Sequence, residues 1–345
     1  MNTHAHQLAQ PDYITRFYEM PVRQAFAALF CATLAAFSST LTATKARAQT
    51  SEKLSLTLAV APIVPYSNSS VALAKGMFSA ANLTVERKTI MASDVIRSAL
   101  ASGDVDIAAM SLDTVLRAHI AGFDWKLLYP AVVYDPKTPD AYIVARKDLD
   151  LKTPKDLEGK IIAMSSGSIS EVGAKAWLRM QGVDISKIKI VEIPLPQMVS
   201  ALESKQIDAG HMVYPGVSVA LGKGVGKLVG PDLDAIGGRF LVSTYVAKGS
   251  WIKANPEKAK RFTAAMNQAT GFIMEQPADA LPIIAKETRI EPALVADFFP
   301  SRYVASTAIP AAEIQRVIDF LVREKFIDKP MDYREIVSEY MPMVP

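Results

Sequence analysis

The sequence predicts an α/β protein built from two similar lobes that face each other across a cleft. The first observation is an internal repeat: ALASGDVDIAAMSL at residues 99–112 and ALESKQIDAGHMVY at residues 201–214 share Ala, Leu, Ser, Asp and Met at a constant offset of 102. The second is that apolar runs alternate with helical patterns along the chain. The third is that this alternation restarts near residue 160 and later returns, which predicts two sheets and two chain crossings.

The first lobe begins with a strand–helix pattern that repeats three times. Strands are predicted at residues 54–60, 83–90 and 105–110, and helices at 71–82, 94–102 and 112–121. Ser93 is the expected cap of the second helix. Two further strands are predicted at 125–133 and 141–146, separated by the turn-rich DPKTPD. The order βαβαβα indicates a mainly parallel sheet with helices on both faces.

The second lobe repeats this pattern. Strands are predicted at 160–164, 189–193 and 207–213, and helices at 172–181, 197–205 and 216–222, and a strand at 240–247 is predicted to return from this second unit. Ser168-x-x-Glu171 is typical of a capping box at a helix start. The remaining chain is predicted to be helical around 256–275, 278–288, 291–299, 311–325 and 332–340, with Asn255 as a cap and Pro256 at the first helical position.

The N-terminus has the parts of a secretory signal. Arg23 precedes an uncharged run whose apolar core is Ala25–Phe37, and Ala46-Arg47-Ala48 follows it. Residues 1–48 are therefore expected to be a signal peptide, read from Met1 or from Met20, and the mature protein to be soluble in the periplasm. Residues 49–145 and 243–345 are assigned to lobe 1 and residues 146–242 to lobe 2, with a two-segment hinge near Tyr142–Arg146 and Leu241–Tyr245.

The composition argues against several classes of function. The 345 residues carry a formal net charge of +3, and the charges nearly balance once the signal is removed, so no nucleic-acid or anionic-membrane footprint is expected. Cys31, the single cysteine, lies in the signal, which leaves no disulfide or thiolate nucleophile. Only His119 and His211 remain, so no catalytic residues, metal site or cofactor are expected.

Several short motifs together resemble a known family. They are Ala74-Lys75-Gly76-Met77-Phe78, Leu83-Thr-Val-Glu86, Ala99-Leu100-Ala-Ser-Gly103-Asp-Val-Asp106, Thr153-Pro-Lys-Asp-Leu157-Glu-Gly159-Lys160 and Asn255-Pro-Glu257. Their order resembles the nitrate/sulfonate/taurine (SsuA/THI5-like) substrate-binding proteins of ABC transporters. The resemblance implies a type II periplasmic binding fold, a small-molecule ligand in the cleft, and an ABC permease with its ATPase in the inner membrane as partner. A monomer is expected.

Ligands of open α/β sheets bind beyond the carboxyl ends of the strands, which selects four loops and the crossing strands. Backbone N–H groups at the helix starts in these loops favour an anion. Asp106 and Asp208 begin strands and are predicted to be structural. The predicted ligand-binding residues are Tyr66, Ser67 and Asn68; Ser111 and Leu112; Ser166, Gly167 and Ser168; Tyr214; and Tyr142 and Thr244 on the crossing strands.

Three functions fit these patterns. The first is the periplasmic solute-binding component of an ABC importer that takes a small organic anion, such as a sulfonate, a carboxylate or a related nitrogen or sulfur compound. The second is a pyrimidine-synthase-like enzyme of thiamine precursor synthesis, which a cysteine-rich motif would accompany. The third is a ligand-sensing partner of a membrane receptor, which the clamp alone does not distinguish from an importer component.

Overall fold

The computed structural model describes residues 53–165, 167–299 and 306–344, apart from the side chain of Phe298. The five-stranded sheet of lobe 1 has the order β2-β1-β3-β10-β4. β1, β2 and β3 are parallel, and β10 lies antiparallel between β3 and β4. The bounds are β1 Leu54–Val60, β2 Leu83–Thr89, β3 Ile107–Ser111, β4 Trp125–Tyr134 and β10 Phe240–Lys248.

The sheet of lobe 2 has the order β7-β6-β8-β5-β9 and repeats this plan. β6 is parallel to β7 and β8, and β5 lies antiparallel between β8 and β9. β3 and β8, which contain the repeated residues, occupy equivalent places in the two sheets, so the predicted α/β architecture with two similar lobes is confirmed. The bounds are β5 Ala141–Arg146, β6 Ile161–Met164, β7 Lys189–Glu192, β8 Ala209–Val213 and β9 Gly226–Gly230.

The chain crosses between the sheets earlier than the sequence predicted. β5 belongs to the sheet of lobe 2, so the first crossing is residues 135–140 rather than Tyr142–Arg146. β10 begins at Phe240 in the sheet of lobe 1, so the second crossing is residues 231–239 rather than Leu241–Tyr245. Both strands are buried along most of their length, and an apolar strand without alternation has the same pattern in either sheet.

Short helices connect the strands of both lobes. The predicted helix 71–82 is broken at Gly76, whose φ of 69° is left-handed. Ser93 is the first residue of its helix and not its cap, a position that Ala92 holds. In lobe 1 the helices are α1 Ser67–Ala74, α2 Met77–Ala80, α3 Ser93–Ser102 and α4 Leu112–Ile120, and in lobe 2 they are α5 Ile169–Met180, α6 Met198–Glu203 and α7 Gly216–Gly222.

The C-terminal part returns to lobe 1 as a helical layer. Its longest helix starts with Pro256 after Asn255, as predicted, while the predicted helix at 332–340 is only a 3-10 turn at Tyr333–Glu335. β11 (Ile309–Pro310) pairs with β12 (Met343–Val344). The helices are α8 Gly249–Ala254, α9 Pro256–Glu275, α10 Pro277–Thr288, α11 Pro292–Phe298 and α12 Ala311–Arg323.

Buried aromatic rings join this helical layer to the sheet of lobe 1. The ring of Phe262 on α9 stacks on Phe78 at 5.7 Å between centroids and meets the edge of Tyr245 at 5.8 Å. Such rings supply much of the apolar area that a core removes from water. A smaller second core, which includes Tyr142 and Met198, covers the other face of the lobe 2 sheet. Within the described part of the chain, no helix has the length and apolarity that a membrane span requires.

The two repeated aspartates have the structural role that the sequence predicted, and each joins neighbouring strands. Asp106 Oδ2 accepts hydrogen bonds from the backbone N–H of Thr57 at 2.7 Å and from its hydroxyl at 3.1 Å. Asp208 Oδ2 accepts the backbone N–H of Ile161 at 2.9 Å. Each carboxylate therefore ties the turn before β3 or β8 to the adjacent parallel strand, at the end of the sheet opposite to the strands' carboxyl ends.

Candidate functional site

The four predicted loops lie where the carboxyl ends of the strands meet a helix start. β1 is followed by the turn Val64–Tyr66 and α1, and β3 runs directly into α4. In lobe 2, β6 is followed by α5, and β8 by Tyr214, Pro215 and α7. Ser166 lies outside the described residues. The topology thus places the candidate loops of each lobe at the same edge of its sheet.

A polar cluster lies at this edge of lobe 1 and consists of Tyr66, Asp113 and Ser243, which are buried, and Ser111, which is partly buried. Tyr66 is 7% exposed and its ring meets the edge of Tyr245 at 6.1 Å. Burial raises the pKa of Tyr66 and the nearby Asp113 carboxylate raises it further, while the neighbouring Ser243 hydroxyl acts against both. The Tyr66 hydroxyl therefore stays protonated at neutral pH.

Several polar atoms in and beside this cluster have unused hydrogen-bonding capacity. Ser243 Oγ and Asp113 Oδ1 are buried without a hydrogen-bond partner of normal geometry among the described residues, and so is Ser67 Oγ next to Tyr66. Ser111 Oγ lies 2.9 Å from Thr114 Oγ1. Buried polar groups in native proteins are nearly always satisfied, so a group of open ones marks a place for water or a ligand.

Three of the predicted ligand-binding residues of lobe 1 turn their side chains into its interior. Asn68 Oδ1 accepts hydrogen bonds from the Tyr245 hydroxyl at 2.5 Å and from its neighbour's N–H. Thr244 Oγ1 donates to the carbonyl of Tyr129 at 2.9 Å. Successive side chains of a strand point to opposite faces, so Ser243 rather than Thr244 reaches the cluster. Leu112 is fully buried in the core.

Asp113 and Arg117 were not predicted from the sequence, although both are on the first two turns of α4. Asp113 is 1% exposed, and its Oδ2 lies 3.4 Å from Arg117 Nη2. Burial raises the pKa of Asp113, while Ser111, Arg117 and the backbone amide of Ile169 counteract the rise in part. Ile169 belongs to lobe 2, so Asp113 is close to both lobes. An acidic residue four before an arginine, just after a strand end, was the available signal.

The start of α5 faces this cluster from lobe 2. Ser168 caps the helix, because its hydroxyl accepts the N–H of Glu171 at 3.3 Å and donates to the Ser165 carbonyl at 2.8 Å. The Glu171 carboxylate accepts the N–H of Gly167 at 2.8 Å rather than that of the cap residue. Gly167 has a left-handed φ of 69°, and a Cβ there would lie 3.9 Å from Arg117 Nη1. Ser168 is thus a helix cap, and its hydroxyl has already given its one hydrogen to the Ser165 carbonyl.

The two predicted tyrosines of lobe 2 pack against each other. The rings of Tyr142 and Tyr214 are 6.4 Å apart at an interplanar angle of 73°, an edge-to-face pair. Tyr142 is buried in the smaller core, and Tyr214 is half-buried between the two cores. An edge-to-face pair fixes the ring of Tyr214 where β8 ends.

His211 lies inside lobe 2 and pairs with the second crossing. Its Nδ1 is 2.6 Å from Asp232 Oδ2, and both side chains are fully buried. Burial lowers the pKa of His211, but the carboxylates of Asp232 and Asp140 outweigh it and leave the pKa raised. Asp140 and Asp232 are on the two crossings, so His211 is held between them.

Two further contacts join the lobes away from the polar cluster. Arg179 at the end of α5 pairs with Glu324 just after α12, and Ser218 on α7 donates a hydrogen bond to Asp297 on α11. We call these two contacts the interlobe bridges. Together with Asp113 near Ile169, they show lobes in contact around the cleft. The described residues contain no group of three or more His, Cys, Asp or Glu side chains placed to hold a metal ion.

Comparison with curated sequences gives distant relatives named as binding proteins. A putative binding protein of Brucella abortus is 24% identical over 181 residues, which cover 49% of this chain and 57% of that protein. A putative aliphatic sulfonates-binding protein of Escherichia coli is 23% identical over 244 residues, 69% of this chain and 74% of that protein. The match thus spans little more than half the length of the Brucella relative.

Solved structures and family models agree with the resemblance noted in the sequence. The periplasmic aliphatic sulphonate binding protein SsuA of Escherichia coli superposes with a TM-score of 0.68 at 19% identity, over 82% of this chain and 97% of SsuA. At that identity the similarity establishes the fold. The model of the NMT1/THI5-like family matches residues 66–280, which is more than half of the chain. The chain therefore belongs to the NMT1/THI5-like family.

Proposed function

We propose that this chain is the periplasmic solute-binding component of an ABC importer and closes its two lobes on a small organic solute. The observation that carries the proposal is the polar cluster, in which buried hydrogen-bonding groups remain open where lobe 1 faces the start of α5. The sulfonate-binding relatives support a small organic anion as the solute. The permease and its ATPase are the proposed partners, and a monomer the proposed state.

The proposed function depends on closure of the two lobes around the solute. A solute that contacts both lobes stabilises the closed arrangement, because those contacts exist only when the lobes meet. Tyr66, Ser67 and Ser111 are the proposed contacts from lobe 1, and the Ser166–Ser168 loop and Tyr214 those from lobe 2. Predicted contacts by the side chains of Asn68 and Thr244 would require these groups to leave bonds they make inside lobe 1.

An enzyme on this fold is the less favoured alternative. Each described histidine is engaged by a carboxylate: His211 by Asp232, and His119 by Glu335 at 3.3 Å. Among the described residues, neither ring has a hydrogen bond to a serine hydroxyl, which nucleophilic catalysis by a serine–histidine pair would need. A sensor role would use the same clamp, and co-purification with a permease rather than with a receptor distinguishes the two.

A ligand screen tests the proposal. Thermal unfolding of protein purified from the periplasmic fraction is measured with alkanesulfonates, aromatic carboxylates, nitrate and aminopyrimidines. A solute at a hundredfold excess over its dissociation constant stabilises the folded protein by about 2.7 kcal/mol. Binding without turnover, seen by calorimetry and by mass analysis of the recovered solute, is the expected result. Chemical conversion of the solute would refute the binding-protein proposal.

A further inference from the structure

Asp113 Oδ1 differs from the neighbouring hydroxyls in its hydrogen-bonding capacity. The hydroxyls of Tyr66, Ser111 and Ser243 can each donate or accept, so they adapt to whatever group enters the cleft. An ionised carboxylate oxygen only accepts. Asp113 Oδ2 faces Arg117 at 3.4 Å. The Ser111 hydroxyl and the Ile169 N–H lie near the carboxylate, but Oδ1 is buried without a hydrogen-bond partner of normal geometry among the described residues. A buried carboxylate oxygen without such a partner is unfavourable.

The charged groups around Asp113 do not supply a donor to Oδ1, so this oxygen remains an acceptor. Arg117 is the cation beside it, and its side chain is 45% exposed, directed past Gly167 and over the ring of Phe326. At the opposing start of α5, Glu171 accepts the N–H of Gly167 and forms an ion pair with Lys175 at 2.5 Å, so its charge is already matched. A bare anion placed next to Oδ1 would meet the Asp113 carboxylate, whereas a donor group would complete the bonds of this oxygen.

We propose that Asp113 selects solutes that present an N–H donor to the cleft, such as an amine, an amidine or an amino group on a heterocycle. This rests on the proposed function, because it assigns the chemistry of the same cleft. An acidic group elsewhere on the solute would pair with the partly exposed Arg117, so an anion that also has an N–H donor would contact both Asp113 and Arg117. A sulfonate or carboxylate without such a donor would contact Arg117 alone.

Matched pairs of probes test the proposal by calorimetry. The pairs are 2-aminoethanesulfonate with propane-1-sulfonate, benzamidine with benzoate, and 4-aminopyrimidine with 4-methylpyrimidine. Each pair differs in the donor while its size is nearly constant. A hydrogen bond to a buried carboxylate predicts that the N–H member of at least one pair binds about tenfold or more tightly than its partner. Asp113→Asn is expected to reduce that preference to about threefold or less, because an amide can also donate.

Asp94→Asn is the matched control. Asp94 is the second residue of α3, as Asp113 is of α4, but it is exposed, so its removal should leave every affinity unchanged. The unliganded Asp113→Asn protein should unfold at the same temperature as the wild type or higher. Its amide oxygen can still accept from Arg117, while the buried charge, one oxygen of which has no partner of normal geometry, is removed. Lower affinity in that variant then does not reflect misfolding.

The outcomes separate the two proposals. Tight binding of solutes without N–H, equal in wild type and Asp113→Asn, overturns the inference and leaves the solute-binding function intact. A donor preference that survives Asp113→Asn also overturns it, because another group must then accept the donor. If no probe binds either protein and solutes extracted from the periplasm do not bind, the proposed function fails and the inference fails with it.

Discussion

Replacing Asp208 with alanine should destabilise the protein without weakening the ligand site. The change removes the acceptor of the Ile161 N–H at 2.9 Å and an ion pair with Arg146 at 3.6 Å. The Asp208 side chain is 20% exposed, so the ion pair is partly screened and contributes below about 1 kcal/mol. The hydrogen bond to a charged acceptor contributes about 1.5–3 kcal/mol. The expected loss of unfolding free energy is about 2–3 kcal/mol.

The assay is urea unfolding of the wild type, Asp208→Ala and Asp208→Asn, with solute affinity measured by calorimetry on the same preparations. Asparagine keeps an acceptor oxygen, so its loss should be about half as large. Asp106→Ala is the matched variant in lobe 1, where the carboxylate accepts two bonds from Thr57. A folded Asp208→Ala protein with normal stability and abolished binding would refute the reasoning, because the cleft would then lie at the other end of the strands.

Three other changes have defined outcomes. Tyr214→Ala should weaken solute binding by about 2 kcal/mol, or about thirtyfold, in calorimetry, and normal affinity would remove this ring from the site. Ser168→Ala should lower the unfolding free energy by about 1 kcal/mol through loss of the α5 cap, with Ser168→Asp restoring most of it. His211→Asn should abolish a pH-dependent stabilisation. Because the pKa of His211 is raised on folding, the wild type should exceed the variant in unfolding free energy by the full amount below about pH 6.5. This difference, measured by urea unfolding, should shrink as the pH rises through the pKa of His211 in the folded protein. A difference independent of pH would contradict the charged pair.

Most of the architecture could be predicted because local pattern and topology agree here. The repeat around Asp106 and Asp208 identified equivalent strands, and the rule that ligands bind at carboxyl strand ends selected loops that the structure does place at helix starts. β9 was missed because Gly226–Gly230 is short and glycine-bounded, which gives a weak strand signal. The crossings were misplaced because buried strands carry no alternation that assigns them to one sheet.

The side-chain detail of the site was harder to predict. Choosing Ser243 instead of Thr244 requires knowing which face of β10 is directed towards the cluster. A shift of one residue along the strand exchanges the two faces. Asn68 was assigned to the ligand because of its polarity, whereas the hydroxyl of Tyr245, distant in sequence, binds its amide oxygen. Asp113 becomes distinctive only when its burial and the nearby amide of Ile169 are known, and both depend on long-range packing.

The interlobe bridges have a consequence for affinity. Arg179 pairs with Glu324 at the end of α5 opposite to Ile169, and Ser218 and Asp297 are on α7 and α11, so both bridges lie away from the polar cluster. They therefore act on the equilibrium between open and closed forms, whichever solute is present. The apparent dissociation constant of each solute is inversely proportional to the fraction of molecules that are competent to close on it. Weakening a bridge would multiply the dissociation constants of all solutes by one common factor and leave their ratios unchanged, so affinity and selectivity can evolve at separate positions in this chain.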